Sequence, residues 1–553
     1  MRGGMTSQHE PPATSNLFNQ PPLYGGVNLF QTNPILEGGA SGFPDAVREN
    51  LDQFGRFWGS FDARELARLA NRHLPELERY DARGERSDQV SFHPAYHALM
   101  RHSIGAGLHA SPWEGESAEQ GVRNRARAMR LIMAAQTECG HLSAMTTTNA
   151  SLASLRHSSS VVAEWAPQIL SRTYDRAFRS LGEKRGATVS LAVAERQNGS
   201  DPRALLARAE RRGDGLYAIT GQKWFVSAPM SDAILMLVRL ADGEVGCFLV
   251  PRHMPDGWVN AIRLERLKDK LGTRADAAAE IEFDGAFGYL IGEPGLGPAV
   301  MADTMTYLRL DCGAVAAGLM RGGFAEAVHH ARHRANFGVP LIDRTLMQRV
   351  LADMALDVAG ATALSLRLAE AFDMAGNQPA EAAYVRLMAP VVKYWTTKSA
   401  PALLAEAMEC VGGNAFSESS TVARAYRDAP AFALWETPGN LLAQEMLRAM
   451  RRDDETLQLV LGTIREELGQ GARAAVDVLS AAAAVALEDE GAARMLAEQL
   501  ALTAAAAALR RDHPAAIADA FIETRLGRPW RSTYGMMDAR YDCRALLDYL
   551  CPA

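Results

Sequence analysis

The residue most open to chemistry is Glu436. It lies in "FALWETPGNLLAQEMLR", residues 432 to 448, between an aromatic run and a Pro-Gly turn, with helix-like sequence following at once. A carboxylate there serves either as a general base or as the acidic residue that a helix start favours. Asn440 is placed to cap the helix beginning "LLAQEMLR", whose unpaired N–H groups suit a phosphate or a polarised carbonyl. Three more stretches stand out: "AERQNGSD" (194–201), "GQKWFVSAP" (221–229) and "RANFGVPLIDRTLMQRVLADM" (334–354). The fourth, "EAMECVGGNAFSESSTVARAYRDAPAFALWETPGN" (406–440), contains Glu436 itself. His93 and His97 lie four apart, as a metal pair could. No third ligand accompanies them, so no metal site is expected. No G-x-G-x-x-G follows a strand and no G-x-x-x-x-G-K-[ST] occurs. A nucleotide cofactor has to be held without a Rossmann crevice or a P-loop.

The elements that must position these residues fall into blocks. Residues 1–45 are rich in Pro, Gly and Asn and read as an extended arm that orders only on a partner surface. From Phe61 the pattern is helical: Asp62 and Glu65 resemble a capping box, and Leu66, Leu69 and Leu74 supply an apolar face. Further helices are expected over 117–138 and 161–180. The period changes near 187, where short β-branched or alternating runs such as "ATVSLAVAE" and "DAILMLVRLA" read as an antiparallel β domain. Helical spacing returns from 298 to 450, and an Ala-rich helical block follows 453.

Composition bounds the rest. The chain has 553 residues, 48 % hydrophobic and 22 % charged, enough for a large core. A net charge of −7 argues against nucleic-acid binding by the molecule as a whole. Six scattered cysteines without a C-x-x-C pair fit a reducing cytosol, so a cytoplasmic protein is expected. No signal peptide is read at the start, and the Ala-rich stretch 479–509 is broken by "EDEG", so no membrane partner is expected.

In their order and spacing the four stretches resemble the acyl-CoA dehydrogenase flavoprotein family. "LPELERYDARGERSDQVSFHPAYHALM" (74–100), "AIRLERLKDKLGTR" (261–274), "NLFNQPPL" near the start and the block after 453 resemble its AidB-like, alkylation-response branch. The resemblance covers nearly the whole chain. It implies an α+β multidomain fold: an arm (1–45), an N-terminal helical domain (46–186), a middle antiparallel β domain (187–297), a C-terminal four-helix domain (298–452) and an extra helical domain (453–553). It also implies a homotetramer carrying FAD and acting on acyl-CoA.

By the same resemblance, Ser200 would hydrogen-bond the FAD pyrophosphate, with Ala194 at the flavin. Phe225, Val226 and Ser227 would run along the ring, Trp224 sharing the stacking role, and the Ser227 hydroxyl would lie near N5. Trp435 and Asn440 would complete the cofactor site. Arg334, Phe337, Glu409, Gly412 and Gly413 would reach the FAD of a neighbouring subunit. Glu436 falls on the family's base, which removes the proton next to the thioester while a hydride leaves for the flavin. Some relatives carry the base just before an arginine on a helix that here reads "MTYLRLDCGA"; Leu308 precedes Arg309, so Glu436 stands alone. Three departures accompany this. Ala194 stands where the family has Thr, Asn198 replaces a Gly, and Thr437 and Pro438 replace a Gly and a small hydroxyl residue after the base. The last change stiffens the loop and removes a donor.

The branch is associated with double-stranded DNA through its last block. Residues 441–553 hold 13 arginines and no lysine against 17 acidic residues, a balance of −4, whereas phosphate contact rewards positive charge. Clusters do exist: Arg448, Arg451 and Arg452; Arg510 and Arg511; Arg525, Arg528 and Arg531. The expected function is an alkylation-response flavoprotein that binds DNA through Arg448, Arg451, Arg452, Arg525 and Arg528, with weak acyl-CoA dehydrogenase activity. The alternatives are a metabolic short- or branched-chain acyl-CoA dehydrogenase without DNA binding, and a flavin-bearing scaffold without turnover.

Overall fold

A computed structural model describes residues 18–213, 215–469, 472–527, 533–534, 537 and 540–552. Seven helices come first: α1 (Pro34–Gly39), α2 (Asp45–Gly59), α3 (Phe61–Arg72), α4 (Pro94–Gly105), α5 (Arg123–Ala135), α6 (Leu142–Leu155) and α7 (Ser159–Ile169). A hairpin of β1 (Glu76–Tyr80) and β2 (Arg86–Ser91) interrupts them. It was not expected from sequence, and α7 ends eleven residues before the anticipated 180. The α3 start also differs from expectation. Ser60 is the cap, its hydroxyl accepting the Ala63 N–H at 3.1 Å, while Glu65 pairs with Arg68. The inner stripe is Ala63, Ala67 and Ala70, small residues at helical spacing that let the helix lie close to its neighbours.

The described part of the arm, from Phe18, bonds to the rest of its own chain. Asn19 exchanges two 2.8 Å bonds with Ala335, Arg334 donates to the Asn19 carbonyl at 2.7 Å, and His329 meets the Pro22 carbonyl at 2.8 Å.

The middle domain consists of β3 (Val189–Ala192), β4 (Arg208–Gly213), β5 (Leu216–Ser227), β6 (Ala233–Leu240), β7 (Val245–Pro251), β8 (Ile262–Leu267) and β9 (Ala278–Ile291). Pairing runs from β5 through β9, β7 and β6, then back to β5 through β3 and β4. The sheet therefore closes on itself and presents little free edge. It is mostly antiparallel; β3 and β4 each pair parallel with β6. Ile219, Val226, Met236, Phe248 and Phe283 fill its interior.

Three long helices follow, α8 (Gly297–His333), α9 (Thr345–Met374) and α10 (Pro379–Val411), then α11 (Thr421–Leu434) and α12 (Gly439–Arg452). The last block adds α13 (Asp454–Leu468), α14 (Ala472–Glu488), α15 (Ala493–Asp512), α16 (Ala515–Arg525) and α17 (Cys543–Leu550). One apolar core joins the N-terminal helices, the long helices and this block. The Phe521 ring lies against Gly360 of α9, where a side chain would meet it at 2.5 Å. The order is therefore helices, a closed sheet, long helices, and an extra helical block at the end. Among the described residues no helix is long and apolar enough to cross a membrane, no His, Cys, Asp and Glu group could hold a metal ion, and all six cysteines are free and buried.

Candidate functional site

A cavity of about 670 Å³ lies where the end of β5, the β8–β9 connection, the start of α6 and the α11–α12 loop converge. Its wall is mostly apolar, and Ala194, Ser200, Phe225, Ser227, Trp435 and Glu436 all line it. Sequence reading thus brought together residues 242 positions apart.

Each wall has a local cause. The turn bearing Ser200 hangs on Glu195, whose carboxylate accepts the Leu206 and Ala207 N–H groups and the Lys223 ammonium at 2.9 Å. Both members of that pair are buried, and both also serve backbone groups, which is what makes a buried ion pair tolerable. Asn198 closes the turn, its Oδ1 accepting the N–H of Ser200 and of Asp201. Asn198 thus holds the turn that presents Ser200. Phe225 is 42 % exposed and faces the cavity. Val226 points the other way into the barrel, so it can offer a ring only its backbone. Trp224 lies outside the wall beneath Lys268, whose Nζ is 3.4 Å from the ring centroid. Opposite, the β8–β9 connection is clamped by buried Asp428, which accepts the Thr273 N–H at 2.6 Å and the Cys139 thiol at 3.4 Å.

Glu436 sits in the tight link between α11 and α12. Trp435 ends α11, and its carbonyl accepts the Thr437 N–H at 2.7 Å. Glu436 has φ of 60°, a left-handed conformation that costs a non-glycine residue about 1–3 kcal/mol and concentrates at functional positions. Pro438 then stands before the first residue of α12. Part of the Glu436 side chain is exposed to the cavity, yet protein atoms crowd it. Burial pushes its carboxyl up to about 7, and the Lys393 ammonium works in the opposite direction. A second buried carboxyl on the wall, Asp276, is pushed up to about 6 by burial, with Lys270 opposing at 3.8 Å.

Other expected residues lie elsewhere. Asn440 is the second residue of α12, exposed, and caps nothing; Pro438 occupies the cap position because the chain turns two residues earlier. Arg334, bonded to the arm, ends α8. Phe337 (90 % exposed), Glu409 and Gly412 are exposed and Gly413 lines a separate, larger cavity; none of the four lines this one. Arg525 is a correction: it is buried, 2.9 Å from both Asp353 and Asp357, and binds α16 to α9 instead of facing solvent. Arg528 and Arg531 fall outside the described residues. Arg510 pairs with Asp519, and Arg511 with Glu370, Glu467 and Asp512. Arg448, Arg451 and Arg452 are exposed, without an acidic partner among the described residues.

A larger cavity, about 1000 Å³, runs between the arm, α3 and α11. Its carboxylates are committed: Glu326 to Arg64, Glu65 to Arg68, Glu418 to Arg427. The 670 Å³ cavity is the better candidate because one of its carboxylates, Glu436, has no ion-pair partner within 4 Å among the described residues. Sequence reading missed Lys393, Asp276 and Asp428. Lys393 left a signal, a lone lysine within "MAPVVKYWTT".

The fold and cavity define a class. Residues 190–286 match the profile of the acyl-CoA dehydrogenase middle domain, and 295–451 that of its C-terminal domain. Residues 19–176 match the adaptive response protein AidB N-terminal domain. The AidB protein of Escherichia coli (strain K12) is 40 % identical over 463 residues, 83 % of this chain and 84 % of that one. Acyl-CoA dehydrogenase family member 11 of Caenorhabditis elegans is 27 % identical over 80 % of this chain and 73 % of its own. Among solved structures, C. elegans ACDH-11 in complex with C11-CoA superposes with TM-score 0.84 at 22 % identity, covering 99 % of both chains. An acyl-CoA dehydrogenase from Bacillus anthracis complexed with FAD gives 0.63 at 15 % identity, covering 78 % of this chain and 81 % of that one. The chain belongs to the AidB-like branch of the acyl-CoA dehydrogenase family.

Proposed function

We propose that the cavity holds the isoalloxazine of FAD and that Glu436 is the base that takes a proton from an acyl thioester. The observation that carries this is the Glu436 carboxyl itself: turned inward from a left-handed link, crowded by protein, and without a hydrogen bond to its oxygens among the described residues. A proton affinity near neutrality suits a general base. The cavity fits the cofactor. Its aromatic walls, Phe225 and Trp435, suit a flat ring. The Ser200 and Ser227 hydroxyls on its wall have no protein partner among the described residues and are free to donate. Bound there, a flavin supplies the hydride acceptor. Turnover is weak in this reading, because Pro438 has no N–H and the Thr437 N–H is committed to Trp435, leaving the loop few donors for a thioester carbonyl.

The exposed Phe337, Gly412 and Gly413 support a homotetramer in which this surface meets a neighbour's FAD. Exposed Arg448, Arg451 and Arg452 support DNA contact at the end of α12, within an alkylation response. Phosphate contact needs uncommitted cations, which Arg510, Arg511 and Arg525 are not. The same pairing favours the second reading, a metabolic acyl-CoA dehydrogenase without DNA binding.

One experiment separates the readings: FAD-loaded protein is mixed anaerobically with short- and branched-chain acyl-CoAs, and separately with a DNA duplex over a salt series. Slow bleaching with a salt-dependent shift supports the proposal. Fast bleaching without a shift supports the metabolic reading.

A further inference from the structure

Lys393 interrupts an apolar face of α10 and is 1 % exposed. A buried ammonium must find acceptors, and its Nζ donates to the Trp435 carbonyl. That oxygen also accepts the Thr437 N–H. The two bonds close the turn in which Glu436 takes its left-handed conformation.

The charges around this point can be followed element by element. From α8, the Cys312 thiol and the Arg309 guanidinium face Lys393. Burial pushes Cys312 up to about 11, so it is neutral near pH 7. Arg309 is paired with Glu445 of α12. Across the cavity, Lys270 faces Asp276, and Lys268 is turned to Glu280. Burial pushes the Lys393 ammonium down, and the nearby Glu436 and Glu445 carboxylates push it back up; Lys393 is the cation that acts on Glu436.

We propose that Lys393 is a positioning residue for Glu436: it grips the Trp435 carbonyl to hold the presenting turn, and it brings a positive charge close to the carboxylate. This rests on Glu436 being the base. The geometry is economical, since an ammonium bonded to the carboxylate itself would quench the base, whereas one bonded to the neighbouring carbonyl steadies it and leaves the oxygens free.

The test is an infrared pH titration of the full FAD-loaded protein, following the carboxyl band that Glu436→Gln removes. Lys393→Met and Lys393→Gln are expected to raise the midpoint by about one pH unit, tenfold in proton affinity, with Lys393→Arg close to wild type. Substrate-dependent flavin reduction should fall most in Lys393→Met, which loses both charge and grip. An unmoved midpoint and an unchanged rate in that variant, with FAD retained, overturn the proposal. Should Lys393→Met fail to fold, equal midpoints in the Gln and Arg variants overturn the charge role. A Glu436→Gln protein that reduces flavin at the wild-type rate overturns the base assignment alone, and the infrared midpoint still decides the role of Lys393.

Discussion

Glu436 and Arg525 are both crowded ionisable groups in the helical part of the molecule, and they are treated in opposite ways. Arg525 is matched completely: two carboxylates at 2.9 Å, the Asp353 carbonyl and the Thr524 hydroxyl. Glu436 has a cation nearby, but the hydrogen bond that cation makes among the described residues goes to the adjoining carbonyl. A fully matched charge holds helices together. A carboxylate left one bond short keeps its proton until near neutral pH, where it can do chemistry.

The comparison can be broken at several points. Replacing Glu436 by Gln keeps the shape of the site and removes the base, so bleaching by acyl-CoA should slow by about 10²–10⁴-fold with FAD still bound. Rapid-reaction absorbance reads this, and a wild-type rate would return Glu436 to the role of a helix-end carboxylate. Replacing Arg525 by Met takes the guanidinium away from Asp353 and Asp357, a loss of about 3–5 kcal/mol in urea unfolding. A loss of DNA affinity in that variant without destabilisation would restore Arg525 to a binding surface.

The remaining tests sharpen the contrast. Because Glu436 works ionised and burial raises its pKa, the bleaching rate should climb with pH and level off above about 7. The stability effect has the opposite sign: the folded state holds this proton more tightly than the unfolded chain, so its contribution declines as pH rises from about 4.5 to about 7. Arg448→Ala/Arg452→Ala should flatten the salt dependence of DNA binding by about 0.9 for each phosphate that is no longer neutralised. Arg511→Ala, removing a cation already paired, should leave that slope unchanged. The smallest effect belongs to Ser227→Ala, which should weaken FAD binding by about 0.5–1.5 kcal/mol, read by fluorescence titration.

Sequence exposed the two kinds of charge unequally. That Glu436, Ser200, Phe225 and Ser227 share one cavity was legible because each stands in a short motif whose neighbours are close in the chain. The block order was legible from the change of period. The state of Arg525 was not, since its partners are 168 and 172 positions away and nothing local marks them. Lys393 was hidden for the same reason, its acceptor lying 42 residues on. The Asn440 cap failed on a two-residue shift that the Pro438–Gly439 link imposes. The β1–β2 hairpin was missed because exposed charged strands lack the alternating apolar signal. The arm was expected to need a partner surface; its described part finds one on its own chain, Asn19 at Ala335 just past α8 and Pro22 at His329 of α8.

The most direct measurement of the central claim is the visible spectrum of the purified full-length protein after exhaustive filtration, before and after anaerobic addition of a short branched acyl-CoA. The account expects a flavin spectrum that survives filtration and bleaches in wild type but not in Glu436→Gln. A colourless protein that takes up no added FAD would contradict it.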